Sequence, residues 1–382
     1  MFKREIFSSD HEAFRDTVRK FFNEHVDPHH AQWERDGQVS REVWLKAGEH
    51  GILCADTPEE YGGSGADFLY SSIVIEEQGR SGHSGPGFSV HSDIVAPYLY
   101  KYAGDAVKKK WLPKMVTGEA IGAIAMTEPS AGSDLQNIRT TAVKDGDHYL
   151  ISGQKTFITN GQMSDFIIVA CKTDTTQGAR GVSLIVVETD REGFSRGRNL
   201  DKIGMKGQDT SELFFDNVRV PASNLLEEEG RGFFQLMEQL PRERLMQAIR
   251  AAGTIEAALE WTHEYVTDRK AFGKPIAAFQ NTRFKLADVK AQSTMLRVFV
   301  DNCITRLMRD DFDAVDGAMV KLLASEMMTD LLDECLQLHG GNGYMWEYPI
   351  ARAWADARVS RIAGGTCEIM REIIGRSMVG KG

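Results

Sequence analysis

A few side chains of this 382-residue sequence stand where chemistry could be done. The first is Glu243, within Leu240-Pro241-Arg242-Glu243-Arg244-Leu245. A helical carboxylate flanked by arginines is ordinarily a solvated ion-pair cluster. Shielded from water, the same carboxylate becomes a general base. The run from Thr127 to Asp134 is rich in hydroxyls and small residues. It can offer backbone N–H groups and Ser or Thr oxygens to a ligand, and it equally spells a turn. Phe157-Ile158-Thr159-Asn160-Gly161 puts an aromatic at a strand end, either against a planar ring or in a core ahead of an Asn-Gly turn. Asp268 to Pro275 satisfies the rules for a helix C-terminus, and its Arg269 has the fork that suits pyrophosphate. In Gln337 to Tyr344, three glycines admit a close backbone approach or end a helix, and the lone His339 fits a structural role better than a catalytic one. Finally, Gly364-Gly365-Thr366 precedes a helical run, with Thr366 as its N-cap and free N–H groups able to face an anion. Taken singly, each segment reads as punctuation.

Several classes of function fall away on composition. The chain carries 45 basic against 55 acidic residues, a net charge of −10, which suits no phosphate-backbone binder. No apolar run approaches a bilayer span. The start, Met1-Phe2-Lys3-Arg4-Glu5, lacks the apolar stretch of a signal peptide and carries an early acid, so a cytoplasmic chain is expected. Five scattered cysteines read as reduced thiols filling the core. With no Cys-x-x-Cys and no His-Glu-x-x-His, no metal is expected. Walker A and Gly-x-Gly-x-x-Gly loops are absent, so a nicotinamide cofactor is not indicated.

The elements that must position these residues come in three textures. Residues 1–120 read helical. Ser9 is expected as N-cap with Glu12 closing a capping box, followed by Phe14, Val18, Phe21, Phe22 and Val26 at helical spacing until Pro28 stops the run. Residues 121–228 read as short strands: Ile121 to Met126, Thr140 to Val143, His148 to Ser152, Phe166 to Cys171, Val182 to Glu188 and Glu212 to Val220. Asp145-Gly146 marks a hairpin, and the strands suggest a small antiparallel barrel or sandwich. Residues 229–382 read as a helical bundle. One apolar stripe runs through Leu286, Val289, Leu296, Val300, Cys303 and Leu307, another through Met319, Leu323, Met327, Leu331, Cys335 and Leu338. Pro241 is expected to kink or restart its helix. The fold class is α+β, in the order helices, β-domain, helices.

Together these segments resemble the acyl-CoA dehydrogenase family over nearly the full length. The resemblance rests on Thr127-Glu128-Pro129 through Ser133-Asp134, Arg269-Lys270-Ala271-Phe272-Gly273-Lys274, Gln337 through Gly343, and Gly364-Gly365-Thr366. It implies an N-terminal helical domain, a middle β-domain and a C-terminal four-helix bundle, with FAD as cofactor. Met126, Thr127, Ser133, Phe157, Ile158 and Thr159 would then hold the flavin, and Ser133 would also lie near the CoA part of the substrate. Arg269, Phe272, Gln280, Gln337, Gly340 and Gly341 would bind the FAD of a neighbouring subunit, while Thr366 and Glu368 complete the FAD site. Shared sites of this kind imply an oligomer, typically a homotetramer, and electron-transfer flavoprotein as the electron acceptor.

Two departures sharpen the expectation. Many members carry Trp where this chain has Phe157, so an aromatic face is kept. Many also read Tyr-Glu-Gly-Thr, with that Glu as base, where this chain reads Ala363-Gly364-Gly365-Thr366. The long-chain and isovaleryl branches share this gap and place the base on an earlier helix in an acid–Arg–Leu context, which Glu243-Arg244-Leu245 fits. Tyr344 to Pro349 and Gly365 to Met370 look closest to the long-chain branch. The resemblance thus implies that Glu243 takes the α-proton of an acyl-CoA, that Arg244 orients substrate or base, and that the Gly364 N–H meets the thioester oxygen. The product it implies is the trans-2-enoyl-CoA, of medium to long chain in this branch. Competing readings are a branched-chain (isovaleryl- or citronellyl-like) dehydrogenase, an oxidase, and a flavin and acyl-CoA binding protein without activity.

Overall fold

A computed structural model describes residues 4–380; the expectation drawn from Met1 to Lys3 lies outside the described residues. Six helices come first: α1 (Ser9–Phe21), α2 (Asp27–Asp36), α3 (Arg41–Glu49), α4 (Phe68–Ser81), α5 (Ala96–Tyr102) and α6 (Asp105–Val116). The cap of α1 differs from the expectation. Ser8 is the N-cap, and His11 closes the box by accepting the Ser8 N–H at 3.1 Å. Glu12 turns instead to Arg15, at 3.1 Å. Pro28 does not stop the helical path either. A π-turn, Phe22–Val26, leads into α2, where Pro28 sits in the first turn and its missing N–H costs nothing.

The middle domain is a curled sheet of seven strands: β1 (Gly122–Ala125), β2 (Thr141–Asp145), β3 (His148–Thr159), β4 (Phe166–Lys172), β5 (Val182–Glu188), β6 (Phe194–Asn199) and β7 (Thr210–Pro221). The order is β1-β4-β2-β3-β7-β6, with β5 on the other flank of β4. It is not wholly antiparallel as expected, because β1 runs parallel to β4. Gly146 takes φ 61° in the β2–β3 hairpin turn, as the Asp-Gly signal requires. The strand β6 escaped the sequence reading because Phe194-Ser195-Arg196-Gly197-Arg198-Asn199 is mostly exposed and shows little alternation. Strand β4 is buried on both faces. Phe166, Ile168 and Ala170 join the core of the N-terminal helices, while Ile167, Val169 and Cys171 fill the inside of the curl.

Five helices close the chain: α7 (Gly232–Asp268), α8 (Gln280–Met308), α9 (Ala314–Leu338), α10 (Pro349–Ala357) and α11 (Cys367–Val379). Between α7 and α8 lies a small hairpin, β8 (Lys270–Ala271) with β9 (Lys274–Pro275). Helix α7 runs unbroken through Pro241, so the expected restart is absent. Gly317 of α9 lies against Pro241, where an added Cβ would come within 2.9 Å of the proline Cα. The stripe on α8 stands at Val289, Leu296, Val300 and Cys303, all buried. That on α9 is rotated from the expected one: Val320, Ala324, Met328, Leu331, Leu332 and Cys335 are buried, whereas Leu323 is 47% exposed. Helix α4 is the keystone, buried nearly all round between α1 and α7, with Phe68, Leu69 and Ile75 entering the core of the helical domain. All five cysteines are buried and unpaired, and no described helix is long and apolar enough to cross a membrane.

Candidate active site

Glu243 is not a surface acid. It lies on the inner side of α7, 8% exposed, and the Tyr98 hydroxyl of α5 donates to its Oε1 at 3.2 Å. The flanking arginines do not pair with it, and no salt bridge reaches it among the described residues. Arg242 turns to Asp56 at 2.5 Å, and Arg244 donates through Nε to the Gly364 carbonyl at 3.3 Å. Burial therefore dominates and pushes the Glu243 carboxyl up to about 7, with Tyr98 and the two arginines opposing the rise. A carboxylate with that proton affinity is matched to work as a base near neutral pH.

The glycine loop meets the same stretch of α7. Gly364 has φ 67°, and a Cβ built there would fall 2.2 Å from the Gln247 amide nitrogen. Gln247 is one helical turn beyond Glu243, on the same face. It fills the space that a side chain at position 364 would need. Lys321 of α9, wholly buried, donates to the Gly365 carbonyl at 2.6 Å. Two cationic side chains, on α7 and α9, thus hold consecutive carbonyls of the loop. Thr366 caps α11 and accepts the Ile369 N–H at 3.3 Å, and Glu368 stands exposed in the first turn.

The two segments proposed for the flavin form one structure. The Thr156 N–H donates to the Thr127 carbonyl at 3.0 Å, and the Thr127 hydroxyl returns to the Thr156 carbonyl. Beneath them Lys155, fully buried, bridges the Met126 carbonyl at 2.9 Å and Glu128 at 2.8 Å. Glu128 also accepts the Thr140 N–H at 3.0 Å. The register of β3 against β7 shifts between Lys155 and Ile158, and Phe157 in that irregularity takes φ 61° with 68% of its surface exposed. Phe157 is thus a non-glycine residue held in the left-handed region with its aromatic ring uncovered. Ile158 is buried, Thr159 and Met126 are half-buried, and Ser133 is exposed two residues beyond the turn closed by Glu128 and Ala131.

The remaining predicted residues gather elsewhere. Arg269 ends α7, Phe272 is 95% exposed at the tip of the β8–β9 hairpin, and Gln280 opens α8, exposed. Gln337, Gly340 and Gly341 are exposed at the end of α9. His339 is structural, as expected: it stacks on Tyr265 at 4.4 Å and binds the Cys335 carbonyl through Nδ1 at 2.9 Å. Arg269 is 26 residues from Glu243 on one straight helical path, about 39 Å. Sequence reasoning missed Tyr98, Gln247, Lys155 and Lys321. Only Lys321 left a trace, as a lone lysine within the apolar pattern of α9.

Three family models match in succession: the acyl-CoA dehydrogenase N-terminal domain over residues 8–119, the middle domain over 123–218 and the C-terminal domain over 230–379. The chain belongs to the acyl-CoA dehydrogenase family. It is 51% identical to the long-chain specific acyl-CoA dehydrogenase of Sus scrofa mitochondria, across 98% of this chain and 88% of that one. Identity to the isovaleryl-CoA dehydrogenase of Oryza sativa is 38%, across 98% and 92%. The crystal structure of acyl-CoA dehydrogenase from Geobacillus kaustophilus superimposes with a TM-score of 0.96 at 49% identity, covering 98% of this chain and all of that one. The expected family, its two branches, the three-part fold and the oxidoreductase class all stand, and the family is FAD-dependent.

Proposed function

We propose that this acyl-CoA dehydrogenase family member oxidises long-chain acyl-CoA thioesters to trans-2-enoyl-CoA, with Glu243 as the base. The observation that carries the base assignment is a buried carboxylate, free of ion pairs among the described residues and raised to about 7, beside a loop that carries no side chain at Gly364. Glu243 removes the α-proton. The backbone N–H of Gly364 supports the thioester oxygen as charge develops there, on a loop fixed from two sides by Arg244 and Lys321. Arg244 therefore positions the loop rather than the base.

The residues present fit FAD. Met126, Thr127 and Thr159 form a half-buried edge with the Thr159 hydroxyl among its polar groups, and Phe157, two residues beyond the Lys155 that pairs with Glu128, offers an uncovered ring held at positive φ. When bound, FAD supplies the acceptor for the β-hydrogen and its electron pair. Ser133 serves both FAD and the CoA portion, while Thr366 and Glu368 complete the site. Arg269, Phe272, Gln280, Gln337, Gly340 and Gly341 lie around the far end of α7, where Tyr265 bonds the His339 carbonyl, about 39 Å along the helix from the same chain's Glu243, so they serve the FAD of a second subunit. A homotetramer in the cytoplasm, passing electrons to electron-transfer flavoprotein, is the assembly we infer.

The preference for long chains is supported by 51% identity to a long-chain enzyme against 38% to an isovaleryl one. A panel of straight and branched acyl-CoAs, assayed for reduction of electron-transfer flavoprotein, tests it. Highest kcat/KM on a C12–C16 straight chain is expected; highest values on isovaleryl-CoA would overturn the substrate assignment while leaving the chemistry.

A further inference from the structure

Glu243 has one hydrogen-bond partner among the described residues, and that partner is itself buried without exposure. Tyr98 is 0% exposed on α5, which follows directly from a π-turn, Val90–Val95. Insertions of this kind alter the facing of the residues beyond them and recur at functional sites. Here the hydroxyl of Tyr98 meets Oε1 of Glu243, 145 positions away in sequence. We propose that Tyr98 is the positioning residue of the base: its hydroxyl fixes the Glu243 carboxylate in one orientation and favours its ionised form. The inference rests on Glu243 being the base.

The surroundings leave this task to Tyr98. On α7, Arg242 is committed to Asp56, which also accepts the Tyr100 hydroxyl at 3.3 Å, and Arg244 is committed to Gly364. Asp93, on the π-turn, faces Arg242 and is itself raised to about 7 by burial. Tyr102 turns to Gln239, whose side-chain amide donates to its hydroxyl at 2.7 Å. Glu238 faces Tyr98, and Lys321 faces Arg244 from α9. Among the described residues no cation forms an ion pair with Glu243, and the phenol is the one hydrogen-bond donor to it. A phenol suits a base better than an arginine does. It lowers the carboxylate's proton affinity less than a paired guanidinium would, and once Glu243 is protonated the same oxygen can accept the new carboxyl hydrogen.

The test measures the acidic limb of kcat/KM in the FAD-loaded enzyme. Tyr98→Phe removes only the oxygen and is expected to move the limb up by about one pH unit, with kcat recovering at high pH. A trifluorotyrosine placed at position 98 keeps the ring's shape and donates more strongly, so it is expected to move the limb down. This second variant decides the matter if Tyr98→Phe folds poorly. Glu243→Gln is measured alongside for anaerobic flavin reduction. If Glu243→Gln is inactive and both Tyr98 variants leave the limb unmoved, or lower the rate equally at every pH, the role of Tyr98 is overturned while the base stands. If Glu243→Gln reduces flavin normally, the base assignment itself falls.

Discussion

Glu76 and Glu243 are two glutamates buried to nearly the same depth, 3% and 8% exposed, and they have opposite fates. Glu76 on α4 is met by Arg4 at 2.7 Å and by Arg15 and Arg297 at 2.9 Å each. Burial works to raise its carboxyl, but the three guanidinium groups outweigh it and hold Glu76 at about 2. Glu243 has arginines on either side in sequence and none in contact, so burial wins and raises it to about 7. The first is a tie, charged at neutral pH, between the N-terminal segment at Arg4, α1, α4 and α8. The second is a carboxylate able to exchange a proton near neutral pH. Depth alone does not decide which; the direction in which neighbouring arginines are drawn does.

The largest expected break in this contrast is catalytic. Glu243→Gln should slow anaerobic flavin reduction by acyl-CoA by roughly 10³-fold or more, with FAD still bound, whereas Glu76→Gln should leave the rate per folded enzyme close to that of the parent. Stopped-flow bleaching of the flavin separates them.

The next effect is on stability. Glu76→Ala removes the carboxylate shared by three guanidinium groups, each of which keeps another acid (Asp301, Glu77 and Glu256), and should cost about 1–3 kcal/mol in urea unfolding. Because the folded-state pKa of Glu76 is depressed, its contribution is fully present above the ordinary carboxylate value near 4.5 and is lost as pH falls toward 2. The difference between the parent and Glu76→Gln should therefore shrink over that window. An unchanged difference at pH 3 would show that the arginines, not the carboxylate, carry the tie.

Glu243 gives the opposite sign. Its folded-state pKa is raised, so between about 4.5 and 7 the folded state keeps a proton that the unfolded state releases, and stability falls as pH rises. Glu243→Gln should be more stable than the parent near pH 8, by on the order of 1–3 kcal/mol, and no more stable near pH 4. Thermal melts at the two pH values check this.

The smallest change in stability is expected at Phe157. Its exposed ring contributes little to the core, so Phe157→Ala should stay within about 0.5 kcal/mol of the parent. The same variant should lose FAD on gel filtration, where Phe157→Trp retains it. Equal retention by both would remove the ring from the flavin site.

Much of this could be read from residue types and spacing alone. The three-part order, the β2–β3 hairpin at Asp145-Gly146, the apolar stripe on α8 and the structural nature of His339 follow from periodicity, turn chemistry and capping, which are local properties. The resemblance carried by Thr127 to Asp134, Arg269 to Lys274 and Gly364 to Thr366 supplied the family and moved the expected base from position 364 to Glu243. What stayed hidden depends on contacts between residues distant in the chain. The cap at Ser8 and the rotated face of α9 escaped because small shifts in phase are settled by packing against neighbours. Only the tertiary structure sends Arg242 to Asp56 and Arg244 to Gly364, brings Tyr98 across from α5, and sets Gln247 where a side chain at 364 would lie. The sequence determined that a glutamate stands between two arginines. The fold decided that neither arginine touches it, because each is drawn to a partner that folding brings within reach, and the proton affinity of Glu243 follows from that.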